Sequence, residues 1–257
     1  MRVFFAAAYY SYRGIFAWLT PAMYVAQKLM IPLFQVGFFS LIGAFGGAQP
    51  LDFYLLGNAM VIAGAGGVWI AIAVNEERVL GTLVYALASP ANRVALFYGR
   101  AAVHVVDAFF HVLLAFAWAM LVFGLDLPFS TWGGILLAIV VGTIATAGLG
   151  LLAGALAYVV LDAFLLANMV TFLLLLLSGA NIPLSELPSW LALLGQALPL
   201  SRSIEAARIL AAGDELMAAL PLLIADLAVG FVYAGAGFFV FRWVEVLARR
   251  RGSFEDV

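Results

Sequence analysis

The sequence has no cysteine and carries few charges. Lys and Arg number 12 and Asp and Glu number 14 among 257 residues, so 10% of the chain is charged, against about 25% in a typical soluble domain. The missing cysteines exclude disulfides, Cys-ligated zinc and thiol chemistry. The net charge of −2 gives no indication of nucleic-acid binding, and the basic tract is limited to Arg249–Arg251.

The sequence also lacks the features of a nucleotide-binding or catalytic site. It contains no G-x-x-x-x-G-K-[ST] motif, and its single lysine, Lys28, follows no glycine-rich turn. A chain without that motif is not expected to hold ATP phosphates. No nucleophile–base pair, paired carboxylates or convincing metal cluster stands out. We therefore expect no catalytic residue, no metal and no bound cofactor on this chain.

Hydrophobic residues make up 66% of the sequence. Because a bilayer-spanning helix needs roughly 20 apolar residues, the sequence predicts an all-α polytopic membrane protein with six transmembrane helices in one domain, 1–257. The predicted spans are Leu29–Gly47, Phe53–Val74, Ala101–Leu125, Trp132–Tyr158, Ala163–Ser178 and Leu216–Phe241. No internal repeat of three spans is visible, which argues against an inverted-repeat carrier.

The distribution of Lys and Arg predicts the orientation. Ten of them lie before the first span, between the second and third, or after the sixth, and only Arg202 and Arg208 lie on the other side. By the positive-inside rule, the N-terminus, the loop 75–100 and the tail 242–257 are cytoplasmic, and the loop 179–215 is external. The predicted location is the cell membrane, with multiple passes.

An aromatic stripe recurs at helical spacing in residues 2–18. Its members are Phe5, Tyr9, Tyr12 and Phe16. With Arg2 and Arg13 on its flank, the stripe predicts a helix lying in the membrane interface. The alternative is an irregular lead-in to the first span, because Phe4 and Trp18 interrupt the pattern.

The loop 75–100 carries its own helical pattern. Apolar residues recur at Leu80, Leu83, Val84 and Leu87, which predicts a short amphipathic helix under the membrane. Glu76 and Glu77 fall in its first turn, where acidic groups favour the helix dipole. Ser89-Pro90 ends it, because a residue before proline avoids the α region. The alternative is an ordinary solvated loop.

The motifs of this loop resemble a known family. The loop contains Glu77-Arg78-x-x-Gly81-Thr82, followed by Leu87-x-Ser89-Pro90-x-x-Arg93 and Gly99-Arg100. This pattern is similar to the cytoplasmic loop of ABC-2 type permeases, the membrane subunits of type V ABC exporters. The chain departs from the family at Val79 and at Val84-Tyr85, where acidic residues are common. The resemblance implies a coupling helix that docks in a separate ATPase. The residues it assigns to ATPase coupling are Glu76, Glu77, Arg78, Gly81, Thr82, Leu83, Leu87, Ser89, Pro90 and Arg93.

A second motif follows the fifth span. It consists of Ser178-Gly179-x-x-Ile182-Pro183-Leu184-x-x-Leu187-Pro188-x-Trp190, followed by Leu198-Pro199-Leu200 and Ile204-Glu205-Ala206-x-Arg208. This pattern is similar to the family's signature after the fifth span. Its prolines divide 179–215 into pieces, and an apolar face predicts a re-entrant helical hairpin in the outer leaflet. The resemblance implies an external gate of Gly179, Pro183, Pro188, Trp190 and Pro199; the alternative is a lid with no gating role.

Ionisable residues inside spans are costly and are candidates for function. His104, Asp107 and His111 share one face of the third span. A metal site or a proton relay is one interpretation, and the favoured one is a His–Asp network satisfied within itself. Asp226 is expected to pair with Arg202 or Arg208 in a structural role.

Two further sets of residues leave alternatives open. Three neutral polar residues lie within predicted spans: Gln35, Asn58 and Asn168. They are expected either to line a transport path or to form hydrogen bonds between neighbouring helices. The pairs Gly43/Gly47 and Gly150/Gly154 provide close-packing faces, within one subunit or at a dimer seam. The predicted substrate path consists of Phe34, Phe38, Asn58, Asn168 and Phe172.

The resemblance covers essentially the whole chain and implies a complex. Two permeases, identical or sister chains, would combine with two copies of a separate ATPase that binds ATP and Mg. Aromatic, uncharged spans favour export of a hydrophobic or amphipathic cargo, drug-like or lipid. The alternatives are a glycan or glycolipid exporter and an ATPase-independent channel, carrier or intramembrane enzyme.

Overall fold

The computed structural model describes residues 2–79, 90–160 and 162–251. Within these ranges the chain forms nine α-helices and two short 3-10 helices, with no β-strand. The α-helices are α1 (Arg2–Trp18), α2 (Pro21–Gly46), α3 (Leu51–Val79), α4 (Arg93–Leu121), α5 (Trp132–Val160), α6 (Ala163–Leu177), α7 (Ser189–Ala197), α8 (Ser201–Ala211) and α9 (Leu216–Arg251); the 3-10 helices are Phe129–Thr131 and Leu184–Glu186.

The six predicted spans correspond to six apolar helices. Among the described residues, α2, α3, α4, α5 and α9 are long and apolar enough to cross a membrane. The predicted fifth span corresponds to α6, which has 15 residues, fewer than the roughly 20 that a full crossing needs. The prediction of an all-α, multi-pass membrane protein is confirmed.

Several helices extend beyond their predicted spans, because local capping and not charge decides where a helix ends. The first span begins at Pro21 instead of Leu29, since the Thr20 side chain accepts a hydrogen bond from the Met23 N–H at 3.3 Å and proline suits the first helical position. The sixth continues as one helix through Arg251, so the described part of the predicted tail 242–257 is helical.

Helix α3 lies at the centre of the bundle. It packs against α2, α4, α5, α6 and α8. In its most apolar stretch 82% of the residues are buried, against 22% in α2 and in α9. The core therefore forms around α3 and α5, whereas α2 and α9 leave most of their apolar surface uncovered by this chain.

Glycines allow helices to approach closely inside the chain. A Cβ on Gly150 would lie 2.5 Å from the carbonyl oxygen of Gly67 in α3, and a Cβ on Gly43 would overlap the ring of Tyr54. Gly47 has a φ of +70° and ends α2 in the left-handed conformation, a common role for glycine after a helix. Of the two interpretations of these glycines, packing within one subunit is the one observed at Gly43 and Gly150.

The predicted N-terminal helix is present as α1. It packs along α4, with Ala7 and Ile15 buried. The aromatic stripe lies on the opposite face, where Phe5 is 63% and Tyr9 54% exposed. An exposed aromatic stripe of this kind suits a membrane interface, and the depth of α1 in the bilayer stays a prediction.

The predicted hairpin after the fifth span is also helical. It consists of α7 and α8, separated at Leu198–Leu200. Helix α8 ends where the N–H of Gly213, with φ of +92°, donates to the carbonyl of Leu210 at 3.1 Å and the N–H of Asp214 to that of Ile209 at 3.4 Å. This pair of bonds is the Schellman arrangement, in which a glycine commonly follows the end of a helix.

Candidate functional site

The predicted cytoplasmic loop 75–100, here called the connector, lies where α3 is followed by α4. Residues 76–78 continue α3, which ends at Val79, and α4 begins at Arg93. The Asn92 side chain accepts a hydrogen bond from the Ala95 N–H at 3.1 Å and so caps α4. Residues 75–79 and 93–100 of the predicted loop are therefore helical, as parts of α3 and α4. Gly81, Thr82, Leu83, Leu87 and Ser89, all assigned to ATPase coupling, lie outside the described residues.

The end of this connector is tied to the last helix of the bundle. Arg93 Nε lies 3.0 Å from Glu245 Oε1 in α9, and Arg93 Nη1 donates to the Ala91 carbonyl at 3.4 Å. Arg242 also pairs with Glu245, which is only 3% exposed. A buried carboxylate between two guanidiniums fixes α9 to the first turn of α4. The sequence motif included Arg93, but it gave Glu245 no role.

At the opposite end of α3, one arginine joins three elements. Arg208 of α8 donates to the Gly179 carbonyl at 2.9 Å, to the Ala180 carbonyl at 3.1 Å and to the Phe53 carbonyl at 3.1 Å. Its guanidinium carbon lies 3.5 Å from the centre of the Phe53 ring, within cation–π range. We call this set, Arg208 with Phe53, Gly179 and Ala180, the Arg208 latch.

The Arg208 latch stays charged at neutral pH. Burial lowers the pKa of Arg208 from 12.5 to about 10, still well above 7. Two of its acceptors, the carbonyls of Gly179 and Ala180, lie directly after the C-terminus of α6, where the helix dipole favours a cation. The latch therefore holds α3, α8 and the turn after α6 through a cation and backbone carbonyls.

A second contact beside the latch uses two asparagines. Asn58 is fully buried in α3, and its Nδ2 donates to the Tyr54 carbonyl and to Asn181 Oδ1, both at 2.9 Å. Asn181 Nδ2 donates in turn to the Leu175 carbonyl at 3.1 Å. Of the two interpretations of Asn58, path or helix bonding, this chain shows bonding.

Asp226 stabilises the start of α8. This fully buried carboxylate in α9 accepts from the Leu200 N–H, with both oxygens at 3.0 Å, and from the Ser203 hydroxyl. The expected ion pair with Arg202 or Arg208 is wrong, because Asp226 faces the free N–H groups that begin a helix. Leu200 supplies no side-chain cap and has a φ of +84°. The expected structural role of Asp226 is confirmed.

The predicted gate residues lie around these contacts. Gly179 turns the chain after α6 with a φ of +80°, and Pro183 and Pro188 each precede a helix. Pro199 is buried between α7 and α8, whereas Trp190 is 63% exposed. Of these five residues Gly179 belongs to the Arg208 latch, and their gating role stays a prediction.

The histidines and Asp107 of α4 do not satisfy one another. Asp107 pairs with Lys28 and accepts from the Tyr24 hydroxyl, both in α2. His104 Nε2 lies 3.2 Å from Ser11 Oγ in α1. The expectation of a self-contained network is therefore wrong in its partners, because three helices meet at this face of α4.

The third member of that face, His111, is 3% exposed in α4. In the part of the chain that the structure describes, no group of three His, Cys, Asp or Glu side chains is placed to hold a metal ion. The polar groups of α4 thus connect α1 and α2 to the bundle. Ser11 and Tyr24 carried no sequence signal of this role.

The predicted path residues lie on separate surfaces. Phe34 and Phe38 are 68% and 60% exposed on α2. Asn168 and Phe172 are exposed on α6, where Asn168 Nδ2 donates to a carbonyl one turn earlier in its own helix. Asn58, by contrast, is buried, and the role of these five residues in a substrate path stays a prediction.

Comparison with known proteins decides the family. The model of the ABC-2 type transporter family matches residues 15–211, which is most of the chain. This chain belongs to the ABC-2 type transporter family. A comparison with curated proteins gives no match.

The ABC-2 match runs from α1 to the last residue of α8. It therefore includes both the connector and the hairpin with its Arg208 latch. Membership makes the chain a membrane domain of an ABC transporter, and the family in general works with a partner ATPase subunit.

Proposed function

We propose that this ABC-2 permease is the membrane subunit of an ATP-driven exporter in the cell membrane. Its termini and connector face the cytoplasm, in accordance with the Lys and Arg distribution. A separate ATPase, in two copies, binds ATP and Mg and docks on the connector. A second permease chain, identical or a sister, completes the transport path.

The observation that carries this proposal is the continuity of α3. The helix has 29 residues, about 44 Å at 1.5 Å per residue. Near its N-terminal end is Phe53, whose carbonyl accepts a hydrogen bond from Arg208 of the latch. Its other end includes residues 76–78 of the connector. A push on the connector is therefore transmitted along one rigid, buried helix to the hairpin at the far end.

The state of Lys28 supports placing the nucleotide on another subunit. Phosphate-binding loops use a lysine as a point charge after a glycine-rich turn. The only lysine of this chain is inside α2, where it is paired with Asp107. Its charge is thus already used in holding α2 to α4.

The exposed aromatic surface supports an apolar cargo. Phe34 and Phe38 on α2 and Phe172 on α6 each expose more than half of their surface. A second permease packed near these faces would enclose a path lined by hydrocarbon and aromatic rings. We therefore propose a hydrophobic or amphipathic cargo, drug-like or lipid.

Glycolipid export is the second candidate. Tyr9, Tyr10 and Tyr12 of α1 are all at least 40% exposed, and tyrosines can both stack against sugars and donate hydrogen bonds. Comparing ATP hydrolysis of the complex in the presence of lipids, drugs and glycolipids separates the two cargo classes.

The coupling role is tested with the purified permease–ATPase complex. Glu77→Lys and Gly81→Trp should lower permease-dependent ATP hydrolysis at least about tenfold, equivalent to about 1.4 kcal/mol, while the protein still inserts. Gly133→Trp is the matched control, because a Cβ at Gly133 meets nothing within 4 Å and this residue lies at the far end of the bundle. Unchanged ATP hydrolysis in both connector variants would contradict the proposal. ATP-independent transport by the permease alone in liposomes would contradict it as well.

A further inference from the structure

A cavity of about 230 Å³ lies between α1, α3, α4 and α6. Its walls are mostly apolar and include Trp69 and Ile72 of α3 and Ile15 of α1. Phe164 of α6 also lines the cavity, and this side chain is 53% exposed on the outer surface of the bundle. The cavity is separate from the predicted path, since none of Phe34, Phe38, Asn58, Asn168 and Phe172 lines it.

Two polar side chains mark one wall of this cavity. They are Ser11 and His104, whose Oγ and Nε2 atoms lie 3.2 Å apart. His104 is 1% exposed, and its Nδ1 has no hydrogen-bond partner among the described residues. A buried polar atom without a partner costs about 1–3 kcal/mol, so a ligand that reached it would gain by satisfying it.

The charge around the cavity limits what it can accept. Among the side chains that the structure describes, no Lys, Arg, Asp or Glu lines it. The nearest charged residue on α4, Asp107, is already paired with Lys28 and Tyr24. An ion or a phosphate would therefore be desolvated without a counter-charge, which is costly.

Its size limits the ligand further. Pockets for drug-sized molecules measure roughly 300–1,000 Å³, so 230 Å³ fits a smaller molecule or the end of a longer chain. We propose that this cavity binds an uncharged amphiphile, with its hydrocarbon part against Trp69 and Ile72 and one hydroxyl or carbonyl group hydrogen-bonded to both Ser11 and His104. This site belongs to the permease alone and needs no ATPase.

Photo-cross-linking of the full chain in lipid nanodiscs tests the site. The probes are a long-chain alcohol carrying a diazirine and the same chain ending in a trimethylammonium group. We expect the alcohol to label Trp69 or Ile72, saturably with excess unlabelled dodecanol. The charged probe should label that wall at least about fivefold less, after normalisation to the exposed face of α2 at Phe34.

Variants identify the polar contact. Ser11→Ala and His104→Leu should each lower cavity labelling about fivefold, the loss expected for one hydrogen bond. Ser40→Ala is the matched control, because Ser40 is buried in α2 outside the cavity and its hydroxyl also has no partner among the described residues. If His104→Leu fails to fold, Ser11→Ala decides alone.

Three results would overturn the assignment. These are equal labelling of the cavity by both probes, labelling confined to the outer faces of α2 and α6, and unchanged labelling in the Ser11→Ala variant. None of them bears on ATP coupling, which the connector variants Glu77→Lys and Gly81→Trp test independently.

Discussion

Replacing Asp226 by alanine should destabilise the hairpin end of the bundle. The carboxylate accepts from the Leu200 N–H and the Ser203 hydroxyl, and all three residues are almost completely buried. Removing it leaves two buried donors without an acceptor, at about 1–3 kcal/mol each. We therefore expect the free energy of unfolding to fall by about 2–6 kcal/mol.

The matched control is Asp162, a second aspartate whose carboxylate accepts a hydrogen bond at the start of a helix. Asp162 caps α6 by accepting from the Leu165 N–H at 2.8 Å, but it is exposed to solvent in this chain. Loss of an exposed N-cap costs about 1 kcal/mol. Asp162→Ala should therefore be clearly milder than Asp226→Ala, and Asp226→Asn, which keeps one acceptor oxygen, should lie between wild type and Asp226→Ala.

The assay is thermal unfolding of the purified variants in one detergent at one heating rate, followed by tryptophan fluorescence. For a protein of this size about 1 kcal/mol moves the midpoint by roughly 2–4 °C, so Asp226→Ala should lose at least about 4 °C. A midpoint equal to that of Asp162→Ala, or within about 1 °C of wild type, would show that Asp226 does not support α8 as described.

Two other predictions concern helix packing and the ion pair at the connector. Gly230→Ala should lower the free energy of unfolding by about 1–3 kcal/mol, because the new Cβ would overlap Ala145 of α5. Gly235→Ala in the same helix is the control and should be neutral or stabilising, because a Cβ there meets nothing within 4 Å. Equal losses in the two variants, measured by thermal unfolding, would contradict this packing. Glu245→Ala should cost about 1.5–3 kcal/mol, since it removes the buried carboxylate that joins Arg93 of α4 to α9. In a double-mutant cycle with Arg93→Ala the two losses should be less than additive; additive losses would exclude a direct contribution of the pair.

Much of the fold could be predicted from local patterns. Apolar runs gave the six spans, and the cap at Asp162 and the glycine stop at Gly213 follow rules that depend on a few adjacent residues. The boundaries were less accurate: charged residues such as Lys28 were taken to lie outside the first span, but α2 starts at Pro21 and includes that lysine. A paired charge can lie within a helix, so charge alone does not mark the end of the helix.

The candidate site was predicted only in outline. The motif residues from Gly179 to Pro199 do form the breaks and turns of a helical hairpin. Arg208 was part of the same motif, yet nothing in the pattern indicated that its acceptors are backbone carbonyls. A side chain's spacing within its own helix does not define the groups that face it from other helices.

The sequence by itself determined that this ABC-2 permease is helical and embedded in the membrane, because hydrophobicity adds up along each segment and helix hydrogen bonds close within four residues. Only the tertiary structure decided how the buried polar groups are satisfied. Asp107 bonds Lys28 across 79 positions, Asp226 bonds Leu200 across 26, and Arg208 reaches Phe53 across 155. Such pairings depend on which helices pack together and at what depth, and that is a property of the assembled bundle.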